Sequence, residues 1–109
     1  KFYAEGNPDS YALLSFAAED GHPRAMELLA HLYENGIFIS RDEQLAYAWY
    51  TVAQAFGVDL AEKRAGLTEG LNEKTQAAYQ YKAAWVLDRL SDSALEYARA
   101  WSKENALSN

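Results

Sequence analysis

The stretch AMELLAHLYENGIFISRDEQLAYAWYTVAQAFG, residues 25–57, decides how this chain folds. It holds two segments whose apolar residues recur every three or four positions, the spacing of one face of an α-helix. The first segment carries an apolar stripe of four residues: Ala25, Leu29, Leu32 and Tyr33. In the second, the small residues Ala46 and Ala53 allow a neighbouring helix to approach closely. Since Asn35 and Gly36 form a helix-ending pair between the segments, the stretch predicts two antiparallel helices.

Composition and capping signals extend this helical prediction to the whole chain. Alanine occurs 20 times, whereas valine, isoleucine and threonine together number 8, which favours helix over strand. Helix starts are marked by Pro23 and by residue pairs with the spacing of a capping box: Ser40 with Glu43, Asp59 with Glu62, and Ser93 with Glu96. We therefore predict an all-α chain of six helices, over residues 8–20, 23–35, 42–56, 59–69, 73–90 and 93–106.

The sequence also repeats at an offset of 36 residues. The positions that are identical at this distance are Tyr11 and Tyr47, Ala12 and Ala48, Ala17 and Ala53, Gly21 and Gly57, and Ala25 and Ala61. The offset matches one helical hairpin with its turns, a unit that buries its apolar faces only by stacking on similar units. Such a pattern is typical of an α-solenoid built from antiparallel helix-turn-helix repeats.

Residues 25–57 resemble one full repeat of the Sel-one-like family, a relative of the tetratricopeptide repeats. The residues that carry the resemblance are Ala25, Leu29, Tyr33, Gly36, Asp42, Ala46, Trp49, Tyr50, Ala53 and Gly57. Their spacing needs no gap. Ala30 and Phe38 depart from the family because glycine is usual at both positions, so we expect the turn between the two helices to have a different conformation.

The resemblance implies a single tetratricopeptide-like domain over residues 1–109. Within it, residues 8–21 look like a degenerate half repeat, residues 23–57 like the full repeat, and residues 59–106 like a C-terminal repeat with capping helices. The habits of the family suggest a bacterial envelope or signalling scaffold, which favours the periplasm over the cytoplasm.

Charge and motif content exclude several classes of function. The chain has 10 basic and 16 acidic residues and no run of Lys or Arg, so we do not expect it to bind nucleic acid. Its apolar stretches are far shorter than the roughly 20 residues that span a bilayer. The sequence has no cysteine, no glycine-rich phosphate loop and no nucleophile motif, and we expect neither a cofactor nor a metal site.

The outward side of the helix over 23–35 is the first candidate binding surface. It presents Arg24, Glu27, His31 and Glu34, and Lys63 and Arg64 continue it. In the resembled fold, the first helices of successive hairpins line a concave face that holds a peptide or a partner helix. These six residues are therefore predicted to contact a protein partner.

The C-terminal helices carry the second candidate surface. The helix over 73–90 has one apolar side, formed by Tyr79, Ala83, Val86, Leu87 and Leu90. Tyr81 and Trp85 point away from that side and need cover of their own. The last helix, which includes Trp101, either docks on them within the chain or joins them in a surface for a partner or a homodimer.

These observations predict a non-catalytic protein-interaction scaffold. One alternative is a small enzyme or hydrolase accessory in which His31 acts with the carboxylates of Glu27 and Glu34, each one helical turn away. The other is a cap of a longer repeat protein with a purely structural role.

Overall fold

The regular structure of this chain is helical. A computed structural model describes residues 9–90, 92 and 94–96. Those residues contain five complete helices and no strand: α1 (Asp9–Glu19), α2 (Pro23–Asn35), α3 (Glu43–Ala55), α4 (Ala61–Thr68) and α5 (Glu73–Leu87). Residues 92 and 94–96 are also helical, at the start of the predicted sixth helix, whose remainder lies outside the described residues. The all-α prediction is confirmed. None of the described helices has the length and apolarity needed to cross a membrane.

Local chemistry at the ends of α2 and α3 produces the turn between them. Pro23 lies in the first turn of α2, and Gly36 ends that helix with φ 67°, in the left-handed region where glycine has no steric cost. The backbone N–H of Asp42 then donates to the carbonyl of Tyr33 at 2.9 Å. This bond fixes Asp42 at the start of α3, where its side chain accepts from the N–H of Leu45 at 3.1 Å. Asp42, not Ser40, is therefore the capping residue.

The core lies between α2 and α3, the most extensively packed pair of helices. α1 packs on α2, whereas α4 and α5 both pack on α3. The residues predicted to form the helical hairpin are buried: Ala25, Leu29, Leu32, Ala46, Trp49, Tyr50 and Ala53. Tyr33 is half-buried, with its hydroxyl 3.0 Å from that of Tyr11 on α1. The apolar stripe of the opening stretch is thus scaffold.

One side of α5 packs along α3. Tyr79, Ala83 and Val86 are buried there, and the ring of Tyr79 meets that of Tyr47 edge to face, with 5.7 Å between centroids. Leu87 is exposed, contrary to the prediction, because one residue of helix turns it about 100° away from Val86. α5 also ends at Leu87 instead of residue 90.

The chain beyond α5 returns to the turn between α1 and α2. Ala94 is buried there, and a β-carbon built on Gly21 would lie 3.0 Å from the β-carbon of Ala94. The same β-carbon would lie 3.3 Å from the ring of Phe56, which follows α3. Glycine at position 21 therefore allows the C-terminal segment to approach the turn between α1 and α2 closely.

Candidate binding surfaces

A cleft of about 330 Å³ lies between α2, α3 and α4 and is called here the α2/α4 cleft. Its lining residues are Arg24, Glu27, Leu28 and His31 of α2, Tyr50 of α3 and Lys63 of α4. The four residues of α2 share one face because they are three or four positions apart. The cleft thus brings together four residues of the first predicted surface: Arg24, Glu27, His31 and Lys63.

Tyr50 forms the floor of this cleft. Its side chain is buried, and its hydroxyl donates a hydrogen bond of 2.8 Å to Oε1 of Glu34 on α2. The Nζ atom of Lys63 lies 5.7 Å from the centre of the same ring, close enough for a cation–π contact. Glu34, which was also predicted to face a partner, is not among the lining residues of the cleft, and its carboxylate holds Tyr50 in place.

The rim of the α2/α4 cleft is locally basic. Arg24 Nη1 lies 2.6 Å from Glu27 Oε1, but the arginine side chain is 78% exposed, so solvent screens the pair and it adds little stability. Lys63 adds a second cation beside this pair. Two cations therefore face one carboxylate on a chain whose formal net charge is -6. Leu28, also exposed, supplies apolar surface between them.

His31 is oriented by its neighbour on the next turn of α2. The side-chain nitrogen of Asn35 lies 3.2 Å from His31 Nδ1 and 3.0 Å from the His31 carbonyl oxygen. These two contacts hold the His31 ring against the side chain of Asn35. The carboxylates of Glu27 and Glu34, which the enzyme alternative pairs with His31, contact other side chains. Glu27 pairs with Arg24, and Glu34 accepts a hydrogen bond from Tyr50. Across the part of the chain that the structure describes, no group of three His, Asp or Glu side chains is placed to hold a metal ion.

Arg64 lies outside the cleft, although it follows Lys63 directly. Its guanidinium donates to Gln54 Oε1 at 3.1 Å and to the Tyr47 hydroxyl at 3.2 Å, and it lies 5.3 Å from the centre of the Tyr47 ring. Both partners belong to α3, so Arg64 fastens α4 to the core. The helical rotation between neighbouring residues separates these two cations, contrary to the prediction that they lie on one surface.

A polar cleft of about 600 Å³ at the start of α3 does not contain any predicted site residue. Tyr79 lines it, and burial, together with the nearby carboxylate of Glu43 and a hydrogen bond to it, raises the pKa of this phenol. Glu43 also pairs with Arg41. Tyr79 therefore remains protonated near neutral pH and contributes packing and a hydrogen bond, not a catalytic base.

Tyr81 and Trp85 lie on the exposed side of α5, as predicted. Tyr81 is 74% exposed and Trp85 is 43% exposed. The ring of Trp85 lies between two cations, because Lys82 Nζ and the guanidinium carbon of Arg89 are each 4.8 Å from its centre. Trp101, the third aromatic residue of this predicted surface, lies outside the described residues.

Phe16 of α1 was not among the residues predicted to bind, yet it is 74% exposed. It lines a cleft of about 450 Å³ together with Glu19, Asp20 and Arg89. Since Arg89 also covers Trp85, the exposed sides of α1 and α5 adjoin. We call the combined area the α1/α5 surface, formed by Phe16, Glu19, Tyr81, Lys82, Trp85 and Arg89. Leu13 and Phe16 are both exposed in the structure. In the sequence, their spacing of three positions was the sign that α1 has a second apolar face.

Comparison with models of known families, with curated proteins and with solved structures finds no match for this chain. The α2/α4 cleft and the α1/α5 surface are therefore the features of the chain that bear on its function.

Proposed function

We propose that this chain is a protein-interaction module of the Sel-one-like, tetratricopeptide-like type, which holds a peptide or a partner helix in the α2/α4 cleft. The observation that carries the proposal is the cleft itself, with apolar Leu28 and the ring of Tyr50 between charged rim residues. Its side chains come from three helices that share one core, so little order has to be gained on binding. The activity is binding, and no bond is made or broken.

The repeat interpretation is supported by the positions of the helices. Shifted by 36 residues, α1 falls on residues 45–55 and α2 falls on residues 59–71. These ranges overlap α3 and α4, so the 36-residue offset superimposes α1 on α3 and α2 on α4 in the sequence. In such an array α2 and α4 are equivalent helices of successive units, which is why one cleft has lining residues from both.

The chemistry of the cleft favours a partner segment that combines apolar and acidic side chains. An apolar side chain fits against Leu28, the exposed apolar residue of the cleft, where it is removed from water. A neighbouring carboxylate fits between Arg24 and Lys63, the two cations at the rim. Such a segment is negatively charged, and most of this acidic chain repels it. The basic rim of the cleft is therefore the place where it binds.

Selection from a random peptide library on the immobilised full chain tests this proposal. We expect enriched peptides to pair an aliphatic or aromatic residue with Asp or Glu, and Lys63→Glu to weaken their binding at least tenfold. Lys74→Glu is the matched control, because Lys74 is exposed on α5 and carries the same charge change outside the cleft. Circular dichroism verifies that both variants keep their helicity. Failure to enrich any such peptide, or equal binding by both variants, would overturn the proposal in favour of a structural role.

A further inference from the structure

We propose that a second copy of this chain docks on the α1/α5 surface and forms a two-fold symmetric homodimer. The surface is distinct from the α2/α4 cleft, so this proposal goes beyond peptide binding and stands independently of it. Three features of the surface carry it: continuity, charges of both signs, and exposed aromatic area.

Continuity comes from Arg89, just beyond the end of α5. Its guanidinium lies 4.8 Å from the centre of the Trp85 ring, and the same residue lines the cleft that contains Phe16. Tyr81 precedes Trp85 by four residues and therefore lies on the same face of α5. Two exposed helix faces thus form one area with aromatic residues on both sides of an arginine.

The charges of this area are complementary to one another. Glu19 and Asp20 lie on the α1 side, and Lys82 and Arg89 lie on the α5 side. A two-fold interface places one patch against an identical patch, so a patch of a single sign would repel itself. A patch that carries both signs can place the basic groups of one copy on the acidic groups of the other. This arrangement fits a second copy of the chain better than a partner of uniform charge.

A cation near the end of α1 is electrostatically favourable. Glu19 lies in the last turn, where the partial negative charge of the helix end disfavours a carboxylate. That turn has no basic residue of its own, and Arg89 of the same chain lines the adjoining cleft. In a two-fold dimer, Arg89 of one copy lies against Glu19 of the other copy, and the same contact forms a second time. The pairing relieves the unfavourable charge at both ends.

The aromatic residues supply the area that the charges alone do not. Phe16 and Tyr81 are each 74% exposed, and Trp85 is 43% exposed. A whole aromatic side chain buries roughly 150–250 Å², and only the exposed fractions of these three are available to a second copy. They therefore provide part of the roughly 800 Å² per partner of a standard interface. Arginine and aromatic residues are also the types that dominate binding energy at such interfaces.

Sedimentation equilibrium of the full chain over a range of concentrations gives the first test. We expect a monomer–dimer equilibrium whose dissociation constant rises at least tenfold in Phe16→Ser and in Trp85→Ser. Leu28→Ser is the matched control, since Leu28 is an exposed apolar residue of the α2/α4 cleft, and its dissociation constant should not change. A parent chain that stays monomeric at the highest concentration overturns the proposal, as does an unchanged dimer in both variants.

Mixing two charge-reversed variants gives the second test. Arg89→Glu and Glu19→Arg should each be monomeric at concentrations where the parent dimerises, because each places like charges opposite one another twice. An equimolar mixture should dimerise again, since both contacts then join opposite charges. A mixture that stays monomeric overturns the proposal, because only contact between two molecules is restored by mixing. If the parent is monomeric and Trp85→Ser lowers its melting temperature, the occupant is within the same chain, and the proposal is again overturned.

Discussion

The hydroxyl of Tyr50 on α3 donates a hydrogen bond of 2.8 Å to Glu34 on α2, so one residue belongs to both the core and the α2/α4 cleft. The ring of Tyr50 is buried in the packed α2–α3 hairpin, and the same ring lies under Lys63 at the cleft. Packing of the hairpin and shape of the cleft are therefore coupled at this position.

Tyr50→Phe keeps the ring and removes the hydrogen bond to Glu34. We expect the free energy of unfolding to fall by about 1 kcal/mol, because half-buried Glu34 loses a donor while water replaces part of the contact. Urea denaturation measures this change. Tyr81→Phe is the control, since Tyr81 is 74% exposed and its variant should match the parent. Equal stabilities of both variants would show that the hydrogen bond to Glu34 makes no net contribution.

Trp49→Ala tests the packing of α3 in the core. Trp49 is 6% exposed, and truncation of a large buried aromatic side chain costs about 3 to 5 kcal/mol. Because small domains have about 5 to 15 kcal/mol of stability in total, the variant should unfold at much lower urea concentration or not fold. Trp85→Ala, at a 43% exposed position, should lose much less. Similar losses in the two variants would contradict the burial of Trp49.

Phe38 in the turn between α2 and α3 has φ 70°, a left-handed conformation that side chains with a β-carbon disfavour. We expect Phe38→Gly to be more stable than Phe38→Ala by about 1 kcal/mol, since both lose the phenyl ring but only glycine removes the strain. Thermal or urea unfolding of the two variants measures the difference. An alanine variant as stable as the glycine variant would mean that the left-handed conformation costs nothing here.

Tyr33 should make the stability of the chain sensitive to alkaline pH. Burial is the larger cause and the hydrogen bond to Tyr11 the next, and both raise the pKa of Tyr33 above its usual value. The folded chain therefore holds this proton to higher pH than the unfolded chain does. The stabilising contribution is complete below the unfolded pKa of about 10 and is lost as pH rises above it.

Unfolding free energies measured between pH 8 and pH 11 test this prediction for Tyr33. The decline above about pH 10 should be shallower in Tyr33→Phe, which has no phenol to ionise, than in the parent. Tyr81→Phe controls for the loss of an exposed phenol and should decline as the parent does. Parallel curves for the parent and Tyr33→Phe would refute the role of this proton.

The helices, their ends and most of the buried stripe are readable from short-range sequence. Pro23 starts α2 and Gly36 ends it as expected, because helix capping depends on residues within one turn of the helix end. Arg24, Glu27 and His31 were grouped correctly on one face of α2 for the same reason, since spacing along a helix sets the face. The identity of the capping residue of α3 was not readable, because it depends on the bond from Asp42 to Tyr33 across the turn.

Contacts between helices follow from packing, and spacing along the chain does not specify them. Arg64 turns toward Tyr47 while Lys63 faces the cleft, which depends on the angle at which α4 lies against α3. Phe16 and Arg89 are 73 positions apart in sequence and line the same cleft only because the end of α5 lies beside α1. The helical period of 3.6 residues indicates which residues share a face, but not which distant helix packs against that face. That choice is made by the burial of the whole core, and it determines both the floor of the α2/α4 cleft and the extent of the α1/α5 surface.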